Sequence, residues 1–191
     1  MAEFEPDNIF GEKELDTVLA SMPEPRLVLF TGVAGSGKTT SLAMIVELLN
    51  QQGGYRIITV EEPIEYIYER MEQTVITQRE VGLDTIDYTH ALKHVLRQDP
   101  DVILIGEMRD QGSIRTALLA AETGHMVMST LHAGERIPTL QEILDILPPQ
   151  RRLFIEVKAG PEILPYLQQV LKDAGKPAEQ TVIIAFDFDV L

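Results

Sequence analysis

The chain has 191 residues, 45% of them apolar, and a formal charge of −14, which fits one globular domain with a full core and excludes a disordered chain. So acidic a chain repels phosphate backbones and anionic lipid at long range, and no basic stripe offsets it, which argues against tracking along nucleic acid. Without cysteine there is no disulfide, thiolate zinc site or cysteine nucleophile; without an apolar run of roughly 18 to 20 residues or a signal-like N-terminus, a cytoplasmic location is expected.

Residues 1–24 hold seven acids against Lys13 alone, which predicts a solvated acidic arm over 1–26 with a short helix around Leu15 to Leu19. From there, short Val- and Ile-rich runs alternate with segments of helical period, the pattern of βα units on a parallel sheet. The first strand, 27–31, leads into Gly32-Val33-Ala34-Gly35-Ser36-Gly37-Lys38-Thr39. A helix follows, with Leu42, Ile45, Val46 and Leu49 on one face. This G-x-x-x-x-G-K-T between a strand and a helix is a phosphate loop. Gly32, Gly35, Ser36 and Gly37 let successive N–H groups and the helix start, including Thr40, face a phosphate chain. Lys38 reaches the terminal phosphates and Thr39 ligates Mg²⁺.

The second strand, 56–60, ends in an acidic cluster, Glu61, Glu62 and Glu65, which reads as solvated loop charge or as part of a site. Segment 63–84 breaks the alternation and predicts a small β excursion before a helix starting near Asp84 or Thr85. Strand 102–106 delivers Glu107, placed either to hold the Mg²⁺ shell or as an ordinary strand-end acid. The next helix carries Ile114, Ala117, Leu118 and Ala121 on one face and is expected to end at Gly124. His125 and His132 bracket strand 126–130, whose end is polar with Ser129 and Thr130; His132 reads either as a packed residue or as a phosphate contact. A helix with Leu140, Ile143, Leu144 and Leu147, strand 153–157, a helix with Leu164, Leu167, Val170 and Leu171, and strand 181–186 complete the chain.

Between Leu27 and His132 the stretches "TGVAGSGKTT", "IITVEEPIEY", "QREVG", "DPDVILIGEMRD", "AAETGH" and "STLH" resemble the ATPase core of type II secretion and type IV pilus motors, the PilT-like ATPases. The resemblance implies ATP and Mg²⁺ as cofactors. It gives Lys38 and Thr39 the Walker A roles, Glu107 the Walker B role with Mg²⁺, Glu61 the polarising of the attacking water, and His132 the end of the His box. The family's usual Asp before Pro-Ile-Glu is Glu62 here. The family's N-terminal domain and C-terminal helical region are expected to be missing, and the known motors are hexamers completed across subunits.

After His132 the stretches "GERIPTLQE", "LFIEVKAG" and "FDFDVL" resemble part of the glycerophosphodiester phosphodiesterase TIM barrel, in which Glu156 would match a metal ligand beside Lys158. The rest of that family's catalytic set has no counterpart, and one carboxylate cannot hold a catalytic metal, so no diesterase activity is expected. Together these resemblances imply a recombined or engineered chimera joined near 132–135. The expected fold is a single α/β domain over 1–191: a three-layer, RecA-type P-loop sheet with helices on both faces, extended by a TIM-barrel βαβ fragment over 133–191. The expected strand order is 181–186, 153–157, 27–31, 126–130, 102–106, 56–60. The function expected is Mg²⁺-ATP binding with weak or no hydrolysis in a monomer or dimer. The alternatives are an inactive chimeric scaffold and a hexameric motor subunit.

Overall fold

The computed structural model describes residues 27–32, 35–108, 110–132, 137–149, 153–157 and 164–185; the acidic arm expected over 1–26 lies outside them. Seven strands run in chain order: β1 (Leu27–Gly32), β2 (Arg56–Glu61), β3 (Val75–Glu80), β4 (Val102–Glu107), β5 (Met126–His132), β6 (Leu153–Val157) and β7 (Thr181–Ala185). Five helices join them: α1 (Lys38–Gln52), α2 (Tyr88–Val95), α3 (Gln111–Glu122), α4 (Ile137–Ile146) and α5 (Leu164–Ala174). Every strand pair is parallel, in the order β3-β2-β4-β5-β1-β6-β7. The six expected strands therefore lie in the expected order, with β6 and β7 continuing the sheet beside β1.

Central strands of such a sheet are covered on both faces, which is why they read as continuous apolar runs rather than alternating ones. The face carrying α2, α3, α4 and α5 closes over Leu92, Ile103, Ile114, Ile143 and Ile155. The opposite face carries α1, whose Leu42, Ile45, Val46 and Leu49 meet Val28, Leu104, Met128 and Phe154. Helix α1 is buried beyond that stripe as well, at Ala43, Met44 and Asn50. The segment between β2 and β3 accounts for part of this cover: Asn50 Nδ2 donates to the Glu69 carbonyl at 2.9 Å, and Tyr68 packs on the same cluster.

Two expectations need correction. The β excursion is a full parallel strand, β3, pairing with β2 in the register Arg56↔Val75 through Glu61↔Glu80, so the sheet has a seventh strand. The next helix starts at Tyr88 rather than near Asp84 or Thr85. Asp84 is already used: its carboxylate accepts from the Glu80 N–H at 2.9 Å, and its own N–H donates to the Glu80 carbonyl at 2.8 Å. Asp87 is the N-cap instead, accepting from the His90 N–H at 2.7 Å. Gly124 does take the left-handed turn after α3, at φ 104°, where a side chain would be strained. No helix among the described residues is long and apolar enough to cross a membrane.

Candidate functional site

Because the strands are parallel, their C-terminal ends share one edge of the sheet, where ligands of open α/β folds bind. Three of those ends, β2, β4 and β5, with the start of α1, line a cleft of about 500 Å³ whose walls include Lys38, Thr39, Glu61, Glu107 and Thr130. The loop from β1 reaches α1 through two glycines in left-handed conformation, Gly35 at φ 78° and Gly37 at φ 83°. Gly37 is also the N-cap and has no side chain to accept from the first turn, which contains no acid. An α-helix start leaves N–H groups without intrahelical acceptors and carries the positive end of the helix dipole. This one therefore favours an anion.

Lys38 is only 5% exposed, and burial holds its ammonium below its ordinary value. The Ser36 Oγ is buried with no hydrogen-bond partner. A buried hydroxyl without a partner costs roughly 1–3 kcal/mol, so this loop suits a ligand rich in acceptor oxygens.

Opposite the loop stand the strand-end carboxylates. Glu61 is 6% exposed, and burial raises its pKa above the ordinary glutamate value against the lowering effect of hydrogen bonds from Thr59, Gln78 and the backbone of Glu65. The Thr59 hydroxyl donates to Glu61 Oε1 at 2.6 Å and Gln78 Nε2 donates to the same oxygen at 3.4 Å. Glu107 follows a register shift in β4 and lies opposite Thr130 of β5. The Thr130 hydroxyl donates to the Gly106 carbonyl at 2.6 Å, fixing the backbone just before Glu107. Gly106 itself has little room for a side chain, because a Cβ there would lie 3.2 Å from Tyr88 Oη and 3.3 Å from Glu61 Cα.

The structure thus brings Gly35, Gly37, Lys38, Thr39, Thr40, Glu61 and Glu107 into one cleft. Ser36 lies within the same loop, and Gly32 ends β1 directly opposite His132 in β5, whose backbone alone is described. Glu62 and Glu65 also line the cleft but are exposed. His125 lies at the other end of β5, its Nδ1 2.9 Å from the Ala120 carbonyl of α3. Glu156 lies in β6 opposite Phe30 of β1, and Lys158 is outside the described residues. Motif reading did not select Tyr66, Tyr68 and Tyr88, which line the same cleft, or Gln78. Tyr66 Oη lies 3.4 Å from Thr40 Oγ1; burial first, then the Glu61 and Glu47 carboxylates, push the Tyr68 phenol up.

Type II/IV secretion system proteins match the chain over residues 8–157. The chain belongs to that family. It is 41% identical over 145 residues to the type IV pilus retractation ATPase PilT of Pseudomonas aeruginosa, which covers 76% of this chain and 42% of PilT. It is 37% identical over 163 residues to a twitching motility protein of Neisseria gonorrhoeae, covering 83% of this chain and 43% of that protein. A solved structure of the pilus retraction motor PilT with bound ADP superposes with a TM-score of 0.62 at 40% identity, covering 84% of this chain and 43% of that one. The chain therefore spans about two-fifths of the length of these relatives.

The family match corrects the expected limits of the resemblance. It begins at residue 8 rather than Leu27 and runs past His132 to Val157, so α4 and β6 lie within the matched range, as β1 does. The match crosses 132–135 without interruption, and the comparisons lend no support to a diesterase or TIM-barrel fragment.

Proposed function

We propose that this cleft binds Mg²⁺-ATP and that the described residues work as a single α/β unit. The observation that carries the reading is the uncapped start of α1 with Lys38 buried in it, facing Glu61 and Glu107 across one cleft. The N–H groups of Gly35, Ser36, Gly37 and Thr40 would cradle the phosphates, with Gly32 and His132 at the rim and Lys38 on the terminal phosphates. Thr39 and Glu107 would hold Mg²⁺, which neutralises phosphate charge when bound. Among the described residues no group of three or more acids or histidines is arranged to hold a metal ion. That fits Mg²⁺, which commonly binds through one or two protein oxygens together with substrate phosphates and water.

Glu61 would orient and polarise the attacking water. Its surroundings suit that role, since a carboxylate with a raised pKa, held by Thr59 and Gln78, keeps one geometry and accepts a proton more readily. Turnover is expected to be slow in this chain by itself. Phosphoryl transfer needs positive charge on the transferring group. Among the described residues that line the cleft, Lys38 is the one cation, against Glu61, Glu62, Glu65 and Glu107.

Titration of Mg²⁺-ATP into the full chain and into Lys38→Ala, with sedimentation on the same samples, tests the reading. Saturable binding that the variant loses supports it, and sedimentation is expected to give a monomer or dimer. A well-folded wild type that binds no nucleotide overturns it and leaves a scaffold that keeps the motif without its site.

A further inference from the structure

The stretch between β2 and β3, residues 62–74, crosses the α1 side of the sheet with neither helix nor strand. Its N–H and C=O groups therefore have no strand ladder to satisfy them, and beside the Gly54 N–H, which donates to the Gln73 carbonyl, side chains supply several of their partners. One side chain serves two points of it and, beside it, the Glu61 carboxylate. Gln78, in β3, lies opposite Thr59 of β2 in the parallel register. Its Nε2 donates to the Tyr66 carbonyl at 2.8 Å and to the Glu61 carboxylate at 3.4 Å, while its Oε1 accepts from the Tyr68 N–H at 3.3 Å. A carboxamide is suited to this, since it carries two donor hydrogens and an acceptor oxygen on one planar group.

Other anchors hold the flanks. Glu80 accepts from the Ile64 N–H at 3.1 Å, and Asn50 donates to the Glu69 carbonyl at 2.9 Å. Beside the backbone of Glu65, a residue of the stretch itself, two side chains donate to Glu61, and they differ in what else they hold. Thr59 belongs to the same strand and gives it a fixed hydroxyl at 2.6 Å; Gln78 joins the carboxylate to the loop that forms the cleft wall at Tyr66 and Tyr68. Besides the direct bond from the Glu65 backbone, Glu61 and the loop thus share one group on a neighbouring strand.

We propose that Gln78 is a positioning residue that sets the Glu61 carboxylate relative to the cleft and fixes the cleft wall at Tyr66 and Tyr68. This rests on the nucleotide reading for its consequence in turnover, but not for its consequence in the loop. Gln78→Met keeps the shape of the side chain and removes its donors and its amide oxygen. Gln78→Glu removes the donors and adds a like charge beside Glu61, so it is expected to be the worse of the two.

The test uses the full chain with two readouts. In amide exchange without nucleotide, the Tyr68 amide of Gln78→Met is expected to exchange about fivefold faster or more, as for one lost hydrogen bond. The Ile64 amide, held by Glu80, serves as the internal comparison and changes less. An unchanged Tyr68 amide overturns the proposal, and so does equal acceleration across the whole sheet, which would mark a general loss of stability. With Mg²⁺-ATP, affinity is expected to stay within about threefold of wild type. Single-turnover hydrolysis is expected to fall about tenfold to a hundredfold, the range for a displaced reacting group. Combining Gln78→Met with Glu61→Gln is expected to be no slower than Glu61→Gln alone; additive losses, or lost affinity in place of lost rate, overturn the assignment. A wild type that binds no nucleotide sinks the nucleotide reading, and one that binds without turnover sinks only its hydrolytic step. In both cases the exchange comparison still decides the role of Gln78.

Discussion

Glu61 is held by its neighbours yet disfavoured as a charge, since its burial raises the pKa above the ordinary glutamate value. A raised acid binds its proton more tightly in the folded chain than in the unfolded one. Its contribution to stability is therefore fully present below the unfolded value and is lost as pH rises through the folded value. Glu61→Gln keeps an acceptor for the Thr59 hydroxyl and removes the ionisation. The variant is expected to melt above wild type at pH 7, with the gain vanishing near about pH 4, where glutamate in the unfolded chain is largely protonated. Thermal melts at a series of pH values check this, and a variant equally or less stable at pH 7 would show that the hydrogen bonds to the charged form outweigh its desolvation. Lys38 has the same character, a buried cation with its pKa lowered by burial. Groups perturbed by burial cluster in active-site clefts, which agrees with the proposed site.

Among the elements, α3 follows directly on the Glu107 segment, and its start is fixed by Asp110. The Asp110 carboxylate accepts from the Ser113 N–H at 2.9 Å and from the Thr89 hydroxyl of α2 at 3.3 Å, so one cap ties two helices. Asp110→Ala is expected to cost about 1 kcal/mol, or about 2–4 °C in a chain of this size, with nucleotide affinity little changed; calorimetry and a Mg²⁺-ATP titration on the same sample check both. Elements with a full apolar period were legible from the sequence: the stripe Leu42, Ile45, Val46 and Leu49 predicted α1, and the run 102–105 predicted β4. Strand β3 was not, because it lies at the margin of the sheet, partly exposed, and carries Gln78, Arg79 and Glu80. The start of α2 was misplaced because two aspartates, Asp84 and Asp87, could each cap a helix, and which one closes the β3 turn instead is decided by Glu80.

Over the whole molecule, the part of the candidate site written in contiguous letters could be read from the sequence, and the part made by strand pairing could not. The loop 32–39 and Glu107 could be picked from the chain directly, whereas Gln78 meets Glu61 only once β2 and β3 lie side by side. The family match runs past His132 to residue 157, beyond the last distinctive motif. The described residues there are an apolar helix face, Leu140, Ile143, Leu144 and Leu147, and a strand buried at Leu153, Phe154, Ile155 and Val157, and such positions fill a core without distinctive chemistry. The charge of the whole chain gives the last expectation. A net −14 and the cleft acids Glu61, Glu62, Glu65 and Glu107 oppose an anionic ligand at long range, while Lys38 and the start of α1 act at contact. Salt screens the first effect more than the second, because the Debye length is about 8 Å near 0.15 M and the contacts are shorter and partly buried. Association of Mg²⁺-ATP is therefore expected to quicken as salt rises from about 0.02 to 0.2 M, and chelating Mg²⁺ is expected to weaken binding sharply by leaving the phosphates fully charged against those acids. Stopped-flow mixing with a fluorescent ATP analogue measures both. A rate that falls with salt would mean that the local field of Lys38 and the helix start, rather than the acidity of the chain, governs approach to the cleft.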